Sequence, residues 1–484
     1  MMVRHRAWRA ALWVLLAAPA AAQQTLTLHD AVALAQRQGF AASAAASARD
    51  AEIWRNRAFT ARRLPQLSLE GLLPDYNRRI TPVFRPDGTT AFVTQREMQS
   101  SLNLTLSQVV PATGGEIFVS SGLTRLDAYG QPDSRLWQST PLVFGIRQDL
   151  FRSNALKWDD REQDVRAEIA NQRYLEARED VAIETANAFF DLYAAEMTLR
   201  NAAANVAIND TLYLLNTGRY EVGKIGENDL LQSELAVLRA RTTHDGARLA
   251  RDRAMSALKR LINVPSDTQI TIVVPVAIPE VEPDTSLAVA QALANRSEIR
   301  GLELDEVVAR RRLSEARLNT GFGLTLNAIA GYNQTAPFFN DAYRSLLDQQ
   351  RLTVGVEMPL VQWGGRRAEI QAARADQDRV TALSRESRAA IADDARFAAL
   401  HLPLARRQLV TSAKADTVAA RRFDVAKNRY IIGRIDIGDL YIAQSEKDAA
   451  LLSYVDALRN YWLAYYRLRR LTLYDFEAQR PLAP

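Results

Sequence analysis

The chain has 484 residues, no cysteine, a formal net charge of +5 and 48% hydrophobic residues. The lack of cysteine excludes disulfide bonds, thiolate metal sites and a cysteine nucleophile, and it excludes the N-terminal cysteine that lipid anchoring of a bacterial secreted protein needs. The small charge excess does not indicate a nucleic-acid-binding surface, because the many Arg and Glu residues on predicted helices are typical of solvated faces.

The N-terminus has the three-part pattern of a cleavable secretory signal. Three arginines precede an apolar run from Ala10 to Ala18, and a stretch of small residues ends at Ala22. We therefore predict a signal peptide over residues 1–22, with cleavage between Ala22 and Gln23. Without the three arginines the mature chain keeps a charge of only about +2. No other stretch approaches the roughly 18 apolar residues of a membrane-spanning helix.

An alanine-rich stretch over residues 25–64 predicts the first helix. Thr27 and Asp30 suit its N-terminal cap, and the helix should end before Pro65, because the residue that precedes a proline is driven out of the helical region. Residues 285–301 begin the second half of the chain with a weaker copy of this pattern.

After this first helix the hydrophobic period changes to two, which predicts β-strands with one apolar and one polar face. The alternation recurs at residues 67–70, 102–107, 142–147, 322–332 and 352–358. Segments rich in turn-forming residues predict exposed loops at 74–98, 127–140 and 334–350. The alternation fits a transmembrane barrel and a half-buried soluble sheet equally well.

Each half also contains a long predicted helix. Residues 152–217 hold neither glycine nor proline, and steps of four and three between their leucines and alanines predict a coiled-coil seam. The matching stretch 366–432 is interrupted by Pro403, which should kink it. Helices over 229–263 and 439–475 return along them.

The turns between these helices contain a repeat. RYEVGKIGENDL at 219–230 and RYIIGRIDIGDL at 429–440 lie 210 residues apart and share six of twelve positions, and their glycines suit the end of a helix. The chain is therefore predicted to be a duplication, with a helical hairpin tip near each copy. Residues 23–263 form the first repeat, the proline-rich 264–284 form a linker, and 285–484 form the second repeat.

No pattern of catalytic or metal-ligating residues is found. His29, His244 and His401 are isolated from any plausible nucleophile or ligand spacing, and the six methionines do not cluster. The TGG and WGG sequences lack the rest of a phosphate-binding loop. The sequence therefore predicts no enzyme, no cofactor and no metal site.

Four motifs carry a resemblance to a family. They are LTLHDAVALA after the signal, LPQLSL at 64–69, the two RYxxGxI turns and ALANRSEI at 292–299. In this order they resemble TolC-like outer-membrane efflux proteins, the outer membrane factors of tripartite efflux or type I secretion systems.

The resemblance implies an α+β membrane protein in the outer membrane of a Gram-negative bacterium, with a large periplasmic part. It implies a homotrimer in which four strands per protomer form one 12-stranded β-barrel in the lipid, continued by a periplasmic coiled-coil barrel of long helices. Since residues 102–110 and 116–126 form an extra strand-like pair, only two of the four first-half strand runs should belong to the barrel.

The resemblance also implies a function and partners. The protein would be a passive exit duct that receives substrates from a periplasmic membrane fusion (adaptor) protein and an inner-membrane RND or ABC transporter. The alternative is a secreted or periplasmic coiled-coil interaction protein without a pore. The exported substrate, whether drug, metal or protein, is not specified by the sequence.

Finally, the resemblance assigns roles to the two turns. Asp229 and Asp439 match acidic residues near the periplasmic entrance, where threefold symmetry would make rings of carboxylates that favour cations. Either aspartate could instead be a helix N-cap. Ile442 and Ile435 replace a further aspartate and a basic latch residue of the best-known pattern, which argues against a two-ring gate and that latch. The predicted adaptor-docking tips comprise Arg219, Tyr220, Gly223, Arg429, Tyr430 and Gly433.

Overall fold

The computed structural model describes residues 24–130, 132–274 and 278–482. The predicted signal peptide and its Ala22/Gln23 cleavage site lie outside the described residues. The chain divides into two compact units. Of the described residues, the first unit holds those up to Ser47, those within Tyr174–Leu293 and those from Ala392 onward, and the second holds those within Ala48–Arg173 and Ala294–Ile391.

The described residues form eight α-helices and ten strands. In chain order these are β1 (Gln24–Thr27), α1 (Leu28–Gln38), α2 (Phe40–Arg62), β2 (Gln66–Phe84), β3 (Thr90–Val109), β4 (Glu116–Ala128), β5 (Ser134–Leu150), α3 (Ala155–Glu221), α4 (Glu227–Leu261), β6 (Ile270–Val273), α5 (Thr285–Asn295), α6 (Ser297–Leu318), β7 (Gly323–Ala336), β8 (Leu347–Glu357), α7 (Gly365–Ile431), α8 (Ile437–Thr472), β9 (Tyr474–Asp475) and β10 (Arg480–Pro481). Within the described ranges, no helix is both long enough and apolar enough to cross a membrane.

The predicted first helix is two helices. Thr27 and Asp30 form the predicted cap, in which the Thr27 hydroxyl accepts a hydrogen bond from the Asp30 N–H at 3.2 Å. The break falls at Gly39, where an added Cβ would lie 2.4 Å from the Ala35 carbonyl oxygen and 2.8 Å from that of Leu261. Close approach of two backbones therefore requires glycine here.

The first unit has a hydrophobic core built mainly from its helices. Phe189 and Phe190 of α3, Leu402 of α7 and Tyr461 of α8 are fully buried in it. The short parallel pair of β1 and β6 adds apolar side chains to the same core. Pro403 lies inside α7 without ending the helix.

The second unit contains one antiparallel sheet with the strand order β2-β3-β4-β5-β7-β8. Four of these strands come from the first half of the chain and two from the second, so the sheet of one chain has six strands. Both first-half hairpins belong to the sheet because β3 pairs with β4 along the whole length of β4, from Glu116 to Ala128. β2 and β8 are the two edges of the sheet.

The hairpin of β2 and β3 is much longer than predicted. Its ladder continues to the pair Phe84–Thr90, so the prediction of a loop over 74–98 is wrong. Polar residues of its two strands contact one another, as in the ion pair of Arg79 with the diagonal residue Glu97 at 3.3 Å. The loops predicted at 127–140 and 334–350 are likewise shorter than expected, because β4 and β5 and also β7 and β8 extend into them.

One face of the sheet is apolar and the other polar, as the alternation predicts. On the apolar face Leu104, Phe144 and Leu352 are 43%, 54% and 71% exposed. On the opposite face Arg147 forms an ion pair with Glu116 of β4, and its guanidinium donates a hydrogen bond to the Asn327 side chain of β7. The chain thus presents an extended apolar surface that needs an apolar environment.

Candidate functional site at the two helix turns

Each copy of the repeated stretch forms the turn between two helices. The first turn, residues 222–226, joins α3 to α4, and the second turn, residues 432–436, joins α7 to α8. α3 and α7 have 67 residues each. The repeat therefore marks the ends of the two longest helices.

Both turns have the same backbone hydrogen bonds. In the first, the Gly223 N–H donates to the Tyr220 carbonyl at 2.9 Å and the Lys224 N–H donates to the Arg219 carbonyl at 2.8 Å, and the second turn repeats both distances around Gly433. The two glycines have φ of +70° and +73°. This is the Schellman motif, in which glycine adopts the left-handed conformation that other residues avoid. Both glycines face open space, so conformation alone requires them.

Asp229 and Asp439 occupy the third positions of α4 and α8. Neither is the N-cap, so that alternative is wrong: Gly226 caps α4, and Asp436 caps α8 by accepting a hydrogen bond from the Asp439 N–H at 2.8 Å. Among the described residues, neither carboxylate has a hydrogen-bond or ion-pair partner. The Asp439 side chain is exposed and that of Asp229 half-buried. Both carboxylates lie where the helix dipole favours negative charge.

Tyr430 is buried, with 5% of its surface exposed. Its hydroxyl donates a hydrogen bond to the Asn216 Oδ1 of α3 at 2.7 Å. The prediction that Tyr430 offers a docking group is therefore corrected, because the residue joins the ends of α3 and α7 within the chain. Tyr220, its counterpart in the first copy, is 42% exposed.

Arg219 makes a second connection between the same helices. Its Nη2 donates a hydrogen bond to the Ile431 carbonyl at 2.8 Å, and its guanidinium carbon lies 5.2 Å from the centre of the Tyr430 ring. The last carbonyls of a helix lack partners within the helix, so Arg219 caps α7. Its counterpart Arg429 is exposed. Within the Arg-Tyr pair, the first copy thus uses its arginine for contacts inside the chain, and the second copy uses its tyrosine.

A small apolar cluster lies beside the second turn. Its buried members are Leu212, Phe423, Tyr430, Ile437, Leu440 and Ala443. Ile435, at the position of the absent basic latch residue, packs against this cluster, whereas Ile442 is 55% exposed. None of the described members comes from α4, whose Leu231 is 54% exposed. The second turn is therefore the more firmly anchored.

Tyr441 lies next to this cluster at the beginning of α8. Its hydroxyl is buried and has no hydrogen-bond partner in the described part of the chain. Burial raises the pKa of Tyr441 to about 12, because the charged phenolate would lose its hydration. The packed side of the second turn is thus shielded from water.

Sequence reasoning missed two residues of this site, Asp436 and Asn216. Asp436 could have been found, because an aspartate directly before a first turn that contains Asp439 fits the pattern of an N-cap. Asn216 gives no such signal, since its partner Tyr430 is 214 residues away in the chain.

The chain is similar to known proteins in sequence and in fold. The sequence profile described as "Outer membrane efflux protein" matches residues 85–264 and 288–472, which is well over half of the chain. A search of curated proteins finds no significant match.

Several solved structures share the fold. The Campylobacter jejuni CmeC outer membrane channel superposes with a TM-score of 0.66 at 14% identity, covering 94% of this chain and 87% of that one. The outer membrane protein VceC from Vibrio cholerae gives 0.64 at 14% identity, with 94% and 97% covered. The Neisseria gonorrhoeae MtrE outer membrane channel gives 0.60 at 15% identity, with 92% and 88% covered. At these identities the likeness is one of fold.

Proposed function

Because the chain belongs to the outer membrane efflux protein family, we propose that it is the exit duct of a tripartite efflux or type I secretion system. It is an outer-membrane efflux channel, and it conducts substrates passively to the exterior. Its partners are a periplasmic membrane fusion (adaptor) protein and an inner-membrane RND or ABC transporter, which supplies the energy. The observation that carries this proposal is the pair of matched turns, each followed by an aspartate whose carboxylate has no partner in the described part of the chain.

The duct is a homotrimer in which the sheets of three chains close into one outer-membrane barrel, continued in the periplasm by a coiled-coil barrel of helices. Two features of the sheet support a barrel. Its apolar face exposes leucine and phenylalanine side chains that suit lipid, and its polar face carries ion pairs and amides that suit a water-filled interior. A sheet with two free edges also needs closure, because no water in the lipid satisfies their backbone groups.

Asp439 and Asp229 form the periplasmic gate. In a trimer each supplies a ring of three carboxylates, which attracts cations and repels anions at a constriction. The exposed position of Asp439 and the half-buried position of Asp229 make Asp439 the main contributor. Because Ile442 adds no charge to α8, the second turn carries a single ring.

The outer surfaces of the turns dock the adaptor. Tyr220 and Arg429 offer an exposed ring and an exposed guanidinium there, and Gly223 and Gly433 shape the turns that present them. Arg219 and Tyr430, which bond within the chain, position these surfaces and do not contact the partner.

The duplicated organisation suits this duct. Residues 23–263 and 285–484 are the two repeats, joined by the linker 264–284, and the signal peptide over residues 1–22 directs export. Each repeat then supplies one helical hairpin to the periplasmic end of the duct, so a trimer has six turns there.

The substitution Asp439→Asn tests the proposal in planar lipid bilayers. The wild-type channel should prefer cations, and the variant should lose several-fold of its K⁺ over Cl⁻ permeability ratio while still inserting. Asp267→Asn is the matched control, since Asp267 is an exposed aspartate outside the turns and its loss should leave the ratio unchanged. Unchanged selectivity in Asp439→Asn removes Asp439 from the gate, and the absence of any conductance from the wild-type protein refutes the duct.

A further inference from the structure

The six strands are staggered in one direction across the sheet. A continuous row of paired residues crosses the sheet from Gln66, the first residue of β2, through Ser107, Phe118, Gly145 and Ile329 to Arg351 of β8. β2 ends at this row, but the other strands continue past it towards the helices. β3 and β4 continue for two residues, β5 for five, and β7 and β8 for six. The ends of the strands therefore descend by about one residue per strand across the sheet.

This stagger is the one that a barrel requires. One residue of shear per strand, with a rise of about 3.3 Å along the strand and a spacing of about 4.8 Å between strands, corresponds to a strand tilt of about 35°. Strands of closed barrels are tilted by about 35–45°. Since the observed stagger already gives this tilt, all six strands have the geometry of barrel strands.

The two edges of the sheet are complementary to one another. β2 leads away from a helix and β8 leads back to one, so β2 of one copy and β8 of another can pair in antiparallel orientation. Placing their helix-side ends, Gln66 and Glu357, at one level sets Leu67 and Leu69 opposite Val356 and Val354. The same register sets Glu70 opposite Thr353 and diagonal to Arg351, so apolar residues meet apolar ones and opposite charges are neighbours.

We infer that each copy of this chain contributes six strands to the barrel, joined to the next copy by β2 and β8, so that three copies make an eighteen-stranded barrel. The occupant of each free edge is a second copy of the same chain. The inference rests on the proposed trimeric duct, and it replaces the twelve strands implied by the resemblance. It follows from the ladders that join both first-half hairpins to the rest of the sheet.

The strand number sets the width of the barrel. At a tilt of about 35°, eighteen strands give a backbone diameter of about 34 Å, against about 23 Å for twelve. Barrels of sixteen to eighteen strands enclose an aqueous channel. The membrane part of this duct is therefore wide enough that the narrowest point lies elsewhere along the conducting path.

Cysteine pairs in this cysteine-free chain test the strand number. With a short bis-thiol reagent in outer membranes, Glu70→Cys with Thr353→Cys should link chains into covalent dimers and trimers. Ser120→Cys with Thr353→Cys is the matched control. If β2 and β3 lay outside the barrel, β4 would be the edge strand, and Ser120 of β4 would lie opposite Thr353 of the next copy in place of Glu70. This control pair should give no link between chains. Asp149→Cys with Thr325→Cys, which pair between β5 and β7, should link within one chain.

A second cysteine pair between β2 and β8 tests the same contact in case the first pair does not react. Ser68→Cys with Gly355→Cys lies on the same face, and a Cβ at Gly355 meets its nearest neighbour at an ordinary 3.8 Å. Each of the two β2–β8 cysteine pairs is expected to give covalently linked trimers.

Three results overturn the six-strand barrel. They are a link between chains from the Ser120 pair, failure of the β5–β7 link, or failure of both β2–β8 pairs in a protein that still migrates as a trimer without denaturant. A protein that is absent from outer membranes or never forms a trimer refutes the proposed duct itself.

Discussion

The substitution Tyr430→Phe removes one hydroxyl and tests whether a single buried hydrogen bond holds the second turn in place. It keeps the ring beside Arg219 and leaves the Asn216 Oδ1 without its donor. Asn216 is fully buried, and its Nδ2 already lacks a partner within the described residues. A buried acceptor left unsatisfied costs about 1–3 kcal/mol. We expect the local opening free energy at the end of α7 to fall by this amount.

Amide hydrogen exchange of the assembled protein in detergent measures this opening. A loss of about 1–3 kcal/mol makes the amides of the last turns of α7 exchange about 5 to 150 times faster. The internal repeat supplies the control: Tyr220→Phe makes the same chemical change at the matching, exposed position, and exchange should not change. Amides around Phe189, in the core of the first unit, should keep their protection in both variants.

Equal exchange in the two tyrosine variants would refute the role of the Tyr430 hydroxyl. A double variant separates hydrogen bonding from packing. Adding Asn216→Leu to Tyr430→Phe removes both partners, which is nearly neutral when shape is kept, so most of the lost protection should return. If protection does not return, the effect comes from a disturbed apolar cluster and not from the hydrogen bond.

Two further predictions concern the same region. Gly433→Ala forces a side chain into a φ of +73° and should lower the opening free energy of the second turn, measured by hydrogen exchange, by about 1–2 kcal/mol. Gly218→Ala, inside α3 and in open space, should stabilise its helix by about 0.5–1 kcal/mol. A change of the same sign in both variants would contradict the claim that Gly433 is required for its backbone conformation. Because burial raises the pKa of Tyr441 to about 12, Tyr441→Phe should leave the phenolate absorbance gained between about pH 10 and 11 unchanged, and a loss of one tyrosine's amplitude there would show an accessible hydroxyl.

Features encoded within a few residues could be predicted from the sequence. The Thr27–Asp30 cap and the glycines of the two turns depend on neighbours in the chain, and both are found in the structure. The alternation that predicts the central strands is equally local, since it reports only which side of a strand is apolar.

Features that depend on distant partners could not be predicted. The outer part of β2 contains the consecutive polar residues Asn77, Arg78 and Arg79 and resembles a loop in sequence, and it becomes a strand because β3 lies beside it. The Tyr430–Asn216 bond joins residues that no local pattern connects. For the same reason, the sequence gives the same prediction for the two tyrosines of the repeat, although Tyr220 is exposed and Tyr430 is buried.

The two free edges of the sheet have a consequence for biogenesis. If β2 and β8 pair only with other copies, a single chain, a dimer and any longer open chain of copies each have two unsatisfied edges, and only closure removes both. In a partial assembly the two outermost edge strands therefore stay unpaired. Such intermediates should remain scarce and should be exposed to periplasmic proteases and chaperones. Folding of the membrane part becomes a collective event, in which the ring and not the chain is the unit that reaches a stable state.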